Sequence, residues 1–225
     1  MMPSMISGTT IAGDYQQFTL DADGLVIAAG ERMQAKAEAL QETGLAPDFL
    51  AGCSVLELGC DMGFWSFLAS SAGARNVLAL DRNRPVRGRG PVDLIAENTA
   101  LARRFARHDR VHFRQTNLGA QWPEFGLFHV VLAMSVTHHV YAQCGDHVPV
   151  WHWLARHLIP GGLLVWEGPI DAADPVIVKD VPTHLQGGYH ALNLDTALQM
   201  AGLQVMYRGP AKHEPTRQVW SCRRC

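Results

Sequence analysis

Two adjacent histidines, His138 and His139, stand just beyond the apolar run 130–133. Imidazole titrates near neutral pH, so either ring can take a proton from an acceptor group at working pH. Acidic residues end two further apolar runs: Asp81 closes 77–80, and Glu167 closes 163–166. The densest signal lies between Val55 and Trp65. An apolar run interrupted only by Glu57 ends at Gly59, Gly63 follows four residues later, and residues 64–69 read as the first turns of a helix. Strand, tight glycine turn and helix is how a parallel α/β sheet presents a ligand at the carboxyl ends of its strands. A pyrophosphate cradle would need glycine at the two places held by Asp61 and Phe64, so a dinucleotide fits this turn poorly.

Metal chemistry finds little support in the spacing. His147, His152 and His157 recur every five residues, which does not put them on one helix face. Cys222 and Cys225 make a lone pair, and a structural zinc site needs two more ligands. No metal is expected. Arginine is concentrated instead: residues 82–114 carry nine of them against Asp93, Glu97 and Asp109, whereas residues 1–81 carry three basic and ten acidic side chains. Such a block attracts phosphate or forms a solvated helix face. The whole chain has net charge −2 and three lysines, which speaks against general nucleic-acid binding.

The elements that must position these residues follow from the apolar pattern. The 225 residues, 48% of them apolar, suffice for one α/β core. Residues 1–24 read as a loose arm. Residues 31–43 read as a helix with Met33, Ala37 and Leu40 on one stripe and Gly44 as its stop. Strands are expected at 55–58, 77–80, 111–114, 129–133, 163–166, 203–208 and 217–222. Helices are expected at 64–71, 92–106 and 194–201, with another after an Asp146 cap that carries Val148, Trp151, Ala155 and Leu158 and ends at Pro160 and its two following glycines. Residues 168–188 read as a long loop. Eight residues separate the last two strands, too few for a crossover helix, so these pair antiparallel. The expected fold class is α/β: a seven-stranded, mostly parallel sheet with helices on both faces and a C-terminal antiparallel hairpin. Five scattered cysteines, no apolar run near the ~20 residues that span a bilayer and no leader-like N-terminus suggest a cytoplasmic protein without membrane contact.

An acidic residue two before a first glycine, a second glycine four after it, Asp81 at the end of the next strand and the closing hairpin together resemble class I S-adenosylmethionine (SAM)-dependent methyltransferases. The resemblance spans roughly residues 50–222. The family's usual first motif is E/D-x-G-x-G-x-G, and Asp61 replaces its middle glycine. The resemblance implies SAM as cofactor, residues 51–225 as the SAM-binding catalytic domain, and residues 1–50 as an arm and helix forming part of a lid. Glu57 would orient the turn and the methionyl ammonium, with Gly59, Cys60, Asp61 and Gly63 around the methionyl part. Asp81 would accept the ribose hydroxyls, since a carboxylate serves two donors at once. Arg82 would edge the adenine, Asn117 and Leu118 would bond it, and Ala133 and Met134 would touch the methionyl part. Aspartate tolerates positive φ better than most residues, which bears on Asp61.

Methyl transfer from a sulfonium is an in-line displacement that depends on positioning, and a hydroxyl acceptor must also lose a proton. His138, or else His139, is the expected base, in a loop after the fourth strand. Met134, Ser135, Val136 and Thr137 do not match the D/N-P-P-Y/F of exocyclic-amine DNA methyltransferases. Cys144 lacks the proline that precedes the C5-cytosine nucleophile, and no catechol-type aspartate ligand is present. Glu167 would orient the acceptor, while Tyr15, Phe18, His184, Tyr189 and His190 would cover it. The expected acceptor is a hydroxyl of a small molecule or glycan. An alternative is RNA or a phosphate group met through the Arg82–Arg114 block, with a loose similarity to RNA-cap phosphate methyltransferases. A further alternative, favoured by Asp61, is a SAM-fold binding protein without catalysis.

Overall fold

The computed structural model describes residues 8–13, 15–43, 47–83, 93–105, 107 and 109–225. Three short strands, β1 (Thr9–Ala12), β2 (Gln17–Leu20) and β3 (Val26–Ala29), form an antiparallel sheet in that order. This replaces the loose arm expected for residues 1–24, within the described part of it. The cause is local: Phe18 and Leu20 alternate into the core, and Asp21 Oδ1 accepts the N–H groups of Asp23 and Leu25 at 2.9 and 2.8 Å to turn the chain. Helix α1 (Glu31–Glu42) follows as expected, and its expected stop at Gly44 lies outside the described residues.

The main sheet alternates with helices through β4 (Ser54–Leu58), α2 (Phe64–Ser71), β5 (Asn76–Asp81), α3 (Leu94–Arg104), β6 (Val111–Gln115) and β7 (Phe128–Met134). It continues through α4 (Thr137–Cys144), α5 (Val148–Arg156), β8 (Leu158–Pro169), α6 (Pro175–Asp180), α7 (Thr183–Gln186), α8 (Ala191–Met200), β9 (Leu203–Pro210) and β10 (Arg217–Arg224). Strand order is β6-β5-β4-β7-β8-β10-β9. The first five strands are parallel, and β10 lies antiparallel between β8 and β9. The expected seven-stranded α/β sheet with its closing hairpin is what the chain forms.

Period-two alternation sends each strand's side chains to two cores. Leu56, Leu58, Val131, Ala133, Leu164 and Trp166 pack with α4, α5, α6 and α8. Val55, Val130, Leu132 and Val165 pack with α1, α2, α3 and the small sheet. The chain runs outward from β4 to β6, then returns to lay β7 on the other side of β4. That reversal opens a crevice at the carboxyl ends of β4 and β7, where ligands bind in such sheets.

Four local expectations change. The segment after β7 is the helix α4 instead of a loop, and residues 168–188 hold α6 and α7. Helix α5 ends at Arg156, and Pro160, Gly161 and Gly162 lie inside β8. The ladder with β7 shifts register there. Asp146 accepts the N–H of Val148 at 2.9 Å from one residue before the cap, His147. Among the described residues no helix is long and apolar enough to cross a membrane.

Candidate functional site

The crevice opens into a cavity of about 270 Å³. Gly59, Asp61, Asp81, Arg82, Asn117 and Leu118 line it, with Met134 at the end of β7 and His138 and His139 on α4. Tyr15, Arg32 and Arg217 add a charged wall, and Lys179 and Asp180 come from α6.

The turn after β4 is built against its neighbours. Gly59 has φ +74°, and a Cβ there would sit 2.5 Å from Val136 Cγ2, so a larger residue would push the turn away from the residue that caps α4. Asp61 takes φ +47° in the place where the motif usually has glycine. Asn98 Nδ2 donates to its carbonyl at 2.7 Å, and its own N–H donates to Asp81 Oδ2 at 3.0 Å. Gln16, 2% exposed, reaches in from the small sheet. Its Oε1 accepts the Phe64 N–H at 3.0 Å, satisfying an orphan donor at the start of α2, and its Nε2 donates to the Cys60 carbonyl at 3.3 Å. Gln16 escaped sequence reading because nothing local marks a cap 48 positions from its helix.

Asp81 is held by two backbone donors, Asp61 N–H and Asn83 N–H at 2.9 Å. Each carboxylate oxygen keeps a further acceptor site for a ligand. The described non-glycine residues with positive φ are Asp61, Asn83 and Ser135, at +47°, +61° and +56°. All three border or adjoin this cavity. Backbone of this kind costs of order 1–3 kcal/mol per residue and persists where surrounding contacts enforce it.

His138 and His139 sit on the first turn of α4, which Trp166 Nε1 anchors by donating to Thr137 Oγ1 at 2.7 Å. Their ring centroids are 4.1 Å apart, and His138 is buried. One ligand atom each from His138, His139 and Asp180 lie within 4.8 Å of one another. Two imidazoles and a carboxylate are a donor set for a divalent cation. Asp180 joins the two histidines only through the fold, so the spacing of residues along the chain does not reveal this trio.

Glu57, Cys60, Gly63 and Ala133 stand behind the wall and do not line the cavity. Glu57 is 1% exposed and accepts the Ser66 hydroxyl on Oε2. Burial pushes its carboxyl up to about 8, against the lowering effect of that bond. It is protonated at neutral pH.

Glu167 is fully buried as well, but paired. Lys36 Nζ on α1 lies 2.6 Å from its Oε2 and 2.8 Å from Ser135 Oγ, and it also donates to the Tyr15 hydroxyl. Ser135 donates to Glu167, and Arg217 Nη1 donates to Ser135 at 2.9 Å. Burial alone would raise the Glu167 carboxyl, but the Lys36 and Arg217 charges and these bonds hold it below the usual carboxylate range. Lys36 was missed in the sequence, although its spacing from Met33 and Leu40 places it on the buried face of α1.

Of the expected acceptor residues, Tyr15 lines the cavity. Glu167 is packed behind it, and Phe18 stacks edge-on with Phe64 in the core at 5.5 Å. His184 is exposed on α7, His190 is half-buried, and neither lines the cavity. Tyr189 is buried between Tyr141 and His147, with ring centroids 5.2 and 4.8 Å away. The segment coils into helices, so α6 faces the cavity in place of the expected loop. Within the basic block, Arg104 bonds Thr9, Arg107 bonds the Asp23 carbonyl, and Arg114 lies over the Phe125 ring. Arg84, Arg87 and Arg89 lie outside the described residues.

No protein-family model matches the chain, and no curated protein matches it. Solved structures do resemble it. A SAM-dependent methyltransferase from Mesorhizobium loti is 17% identical with a TM-score of 0.60, over 84% of this chain and 98% of its own. A geranyl diphosphate methyltransferase, solved in complex with SAM, is 14% identical with a TM-score of 0.64, over 87% of this chain and 86% of its own. The [4+2]-cyclase SpnF is 13% identical with a TM-score of 0.61, over 85% of this chain and 80% of its own. The chain has the fold of SAM-dependent methyltransferases.

Proposed function

We propose that this protein is a SAM-dependent methyltransferase that acts on a hydroxyl of a small molecule or glycan, with His138 as the general base. One observation carries the reading: a single cavity brings a carboxylate held at a strand end, a glycine turn with no room for a side chain and a histidine pair to the same carboxyl edge. Asp81 offers its remaining acceptor sites to the ribose diol. Gly59, Asp61 and Met134 border the methionyl part, and Arg82, Asn117 and Leu118 border the adenine. SAM bound there supplies an electrophilic methyl group. His138 would take the acceptor's proton while the methyl group passes from the sulfonium sulfur to the acceptor oxygen, with His139 stacked beside it. Glu57 serves from behind, as a protonated carboxyl that ties β4 to α2 through Ser66.

The non-catalytic reading rested on Asp61. That residue adopts the positive φ glycine would take, and both its backbone groups are bonded, so the replacement leaves the turn whole. The shared fold of the cyclase shows that turnover itself must be measured. Labelled methyl transfer from SAM, assayed against a small-metabolite extract and against total RNA, tests the acceptor class. Label is expected in the metabolite extract; label confined to RNA would contradict the proposal.

A further inference from the structure

We propose that the wall formed by Tyr15, Arg32 and Arg217 is a carboxylate-binding subsite, so that the methyl acceptor carries a carboxylate beside its nucleophile. The inference rests on the methyltransferase reading and adds the chemistry of its substrate.

The charges around this wall do not cancel. Lys36, Arg217 and Arg32 are cations, with Arg32 lying 4.3 Å from the Tyr15 ring centroid. Glu167 faces Lys36 at 2.6 Å and Arg217 at 3.6 Å, and Asp174 lies 3.5 Å from Arg217. His213, 3.6 Å from Glu167, is held neutral: burial and the nearby cations bring it down to about 4. Lys179 and Asp180 are 3.9 Å apart and offset each other. Glu214, whose charge also reaches Arg217, sits on the partly exposed loop before β10, where water screens it. The buried charges, Lys36 and Arg217 against Glu167 and Asp174, offset one another, and exposed Arg32 is the cation of this wall left without a carboxylate partner among the described residues.

The donors point the same way. Arg217 is 5% exposed and lines the cavity, with its Nε turned to Asp174 and its Nη1 to Ser135. Arg32 lines the same wall with its side chain exposed. The Tyr15 oxygen accepts from Lys36, and an ammonium cannot accept in return, so the phenol proton remains available for a ligand. Two guanidinium groups and a phenol suit the planar, two-oxygen face of a carboxylate. Arg32, as the one unpaired cation of this wall, matches a monoanion better than a phosphate monoester, which carries about −1.5 to −2 at neutral pH.

The test uses benzoate and its neutral isostere benzamide, titrated into free protein and into protein saturated with S-adenosylhomocysteine. Benzoate should bind the saturated protein, with benzamide at least about tenfold weaker. Arg32→Gln should weaken benzoate about tenfold while changing S-adenosylhomocysteine affinity less than about twofold. Arg32 is exposed, so this variant is expected to fold. Absence of benzoate binding, equal binding of benzamide, or an unchanged Arg32→Gln would overturn the subsite. Benzoate that binds free protein but is expelled by S-adenosylhomocysteine would assign the anion site to the cofactor's own carboxylate and overturn the acceptor assignment. Failure of S-adenosylhomocysteine to bind at all would instead sink the methyltransferase reading, and the acceptor assignment with it.

Discussion

Asp81 and Glu57 are both acidic residues on neighbouring strands, yet the fold gives them opposite roles. Asp81 lines the cavity and is held by two backbone N–H groups, whereas Glu57 is sealed behind the turn with its carboxyl raised to about 8. Below pH 4.5 Glu57 is protonated in both folded and unfolded chains. Between 4.5 and 8 only the folded protein keeps the proton, so this group's contribution to stability falls as pH rises through that window. Glu57→Gln should therefore remove that slope and stabilise the protein at pH 7 by roughly 2–3 kcal/mol, read from urea unfolding across pH. Its affinity for SAM should stay within about threefold of wild type; a much larger loss would return Glu57 to the cofactor. For the histidines, His138→Ala should lower kcat about 100-fold while leaving SAM affinity unchanged, since general-base groups contribute at about that level. Chelation with EDTA should leave the rate intact. A rate lost to EDTA and restored by a divalent cation would instead make His138, His139 and Asp180 a metal site.

At the scale of elements, helix α1 is clasped to the sheet by the Lys36–Glu167 pair, which joins positions 131 residues apart. Removing one partner of a buried pair strands the other charge. Lys36→Met should cost about 3–5 kcal/mol in unfolding free energy. It should also weaken binding at the Tyr15 wall, because Lys36 holds the Tyr15 hydroxyl in place. A loss below about 1 kcal/mol would mean that Arg217 alone satisfies Glu167. Elements with a full period of apolar residues were legible in the sequence, including α1, α2 and all seven strands of the main sheet. Those missed were short: β1 to β3 have four residues each, and α6 and α7 have six and four, which is at most two helical turns. Helix α4, at eight residues, reads as mixed because both histidines and Gln143 interrupt its apolar face.

For the molecule as a whole, the site lies where the strand order reverses, and that position follows from topology more than from any one residue. Gly59 and Asp81 were legible because each follows directly on an apolar run, and Asn117 and His138 because each lies within five residues of the end of an expected strand. Arg32, Asp180 and Arg217, which line the cavity from α1, α6 and the final strand, were not, nor were Gln16 and Lys36, which brace its wall from behind, because all five act across distances that local spacing does not encode. The small sheet and α1 thus supply the cap on α2 and part of the cavity wall, and truncating residues 1–42 should abolish binding even if the main sheet folds. The central claim is that this cavity holds SAM through Asp81. Calorimetric titration of SAM into wild type and Asp81→Ala tests it most directly: saturable one-to-one binding is predicted for wild type, weakened about 100-fold in the variant. No binding to wild type at millimolar SAM, or equal affinity in both proteins, would contradict it.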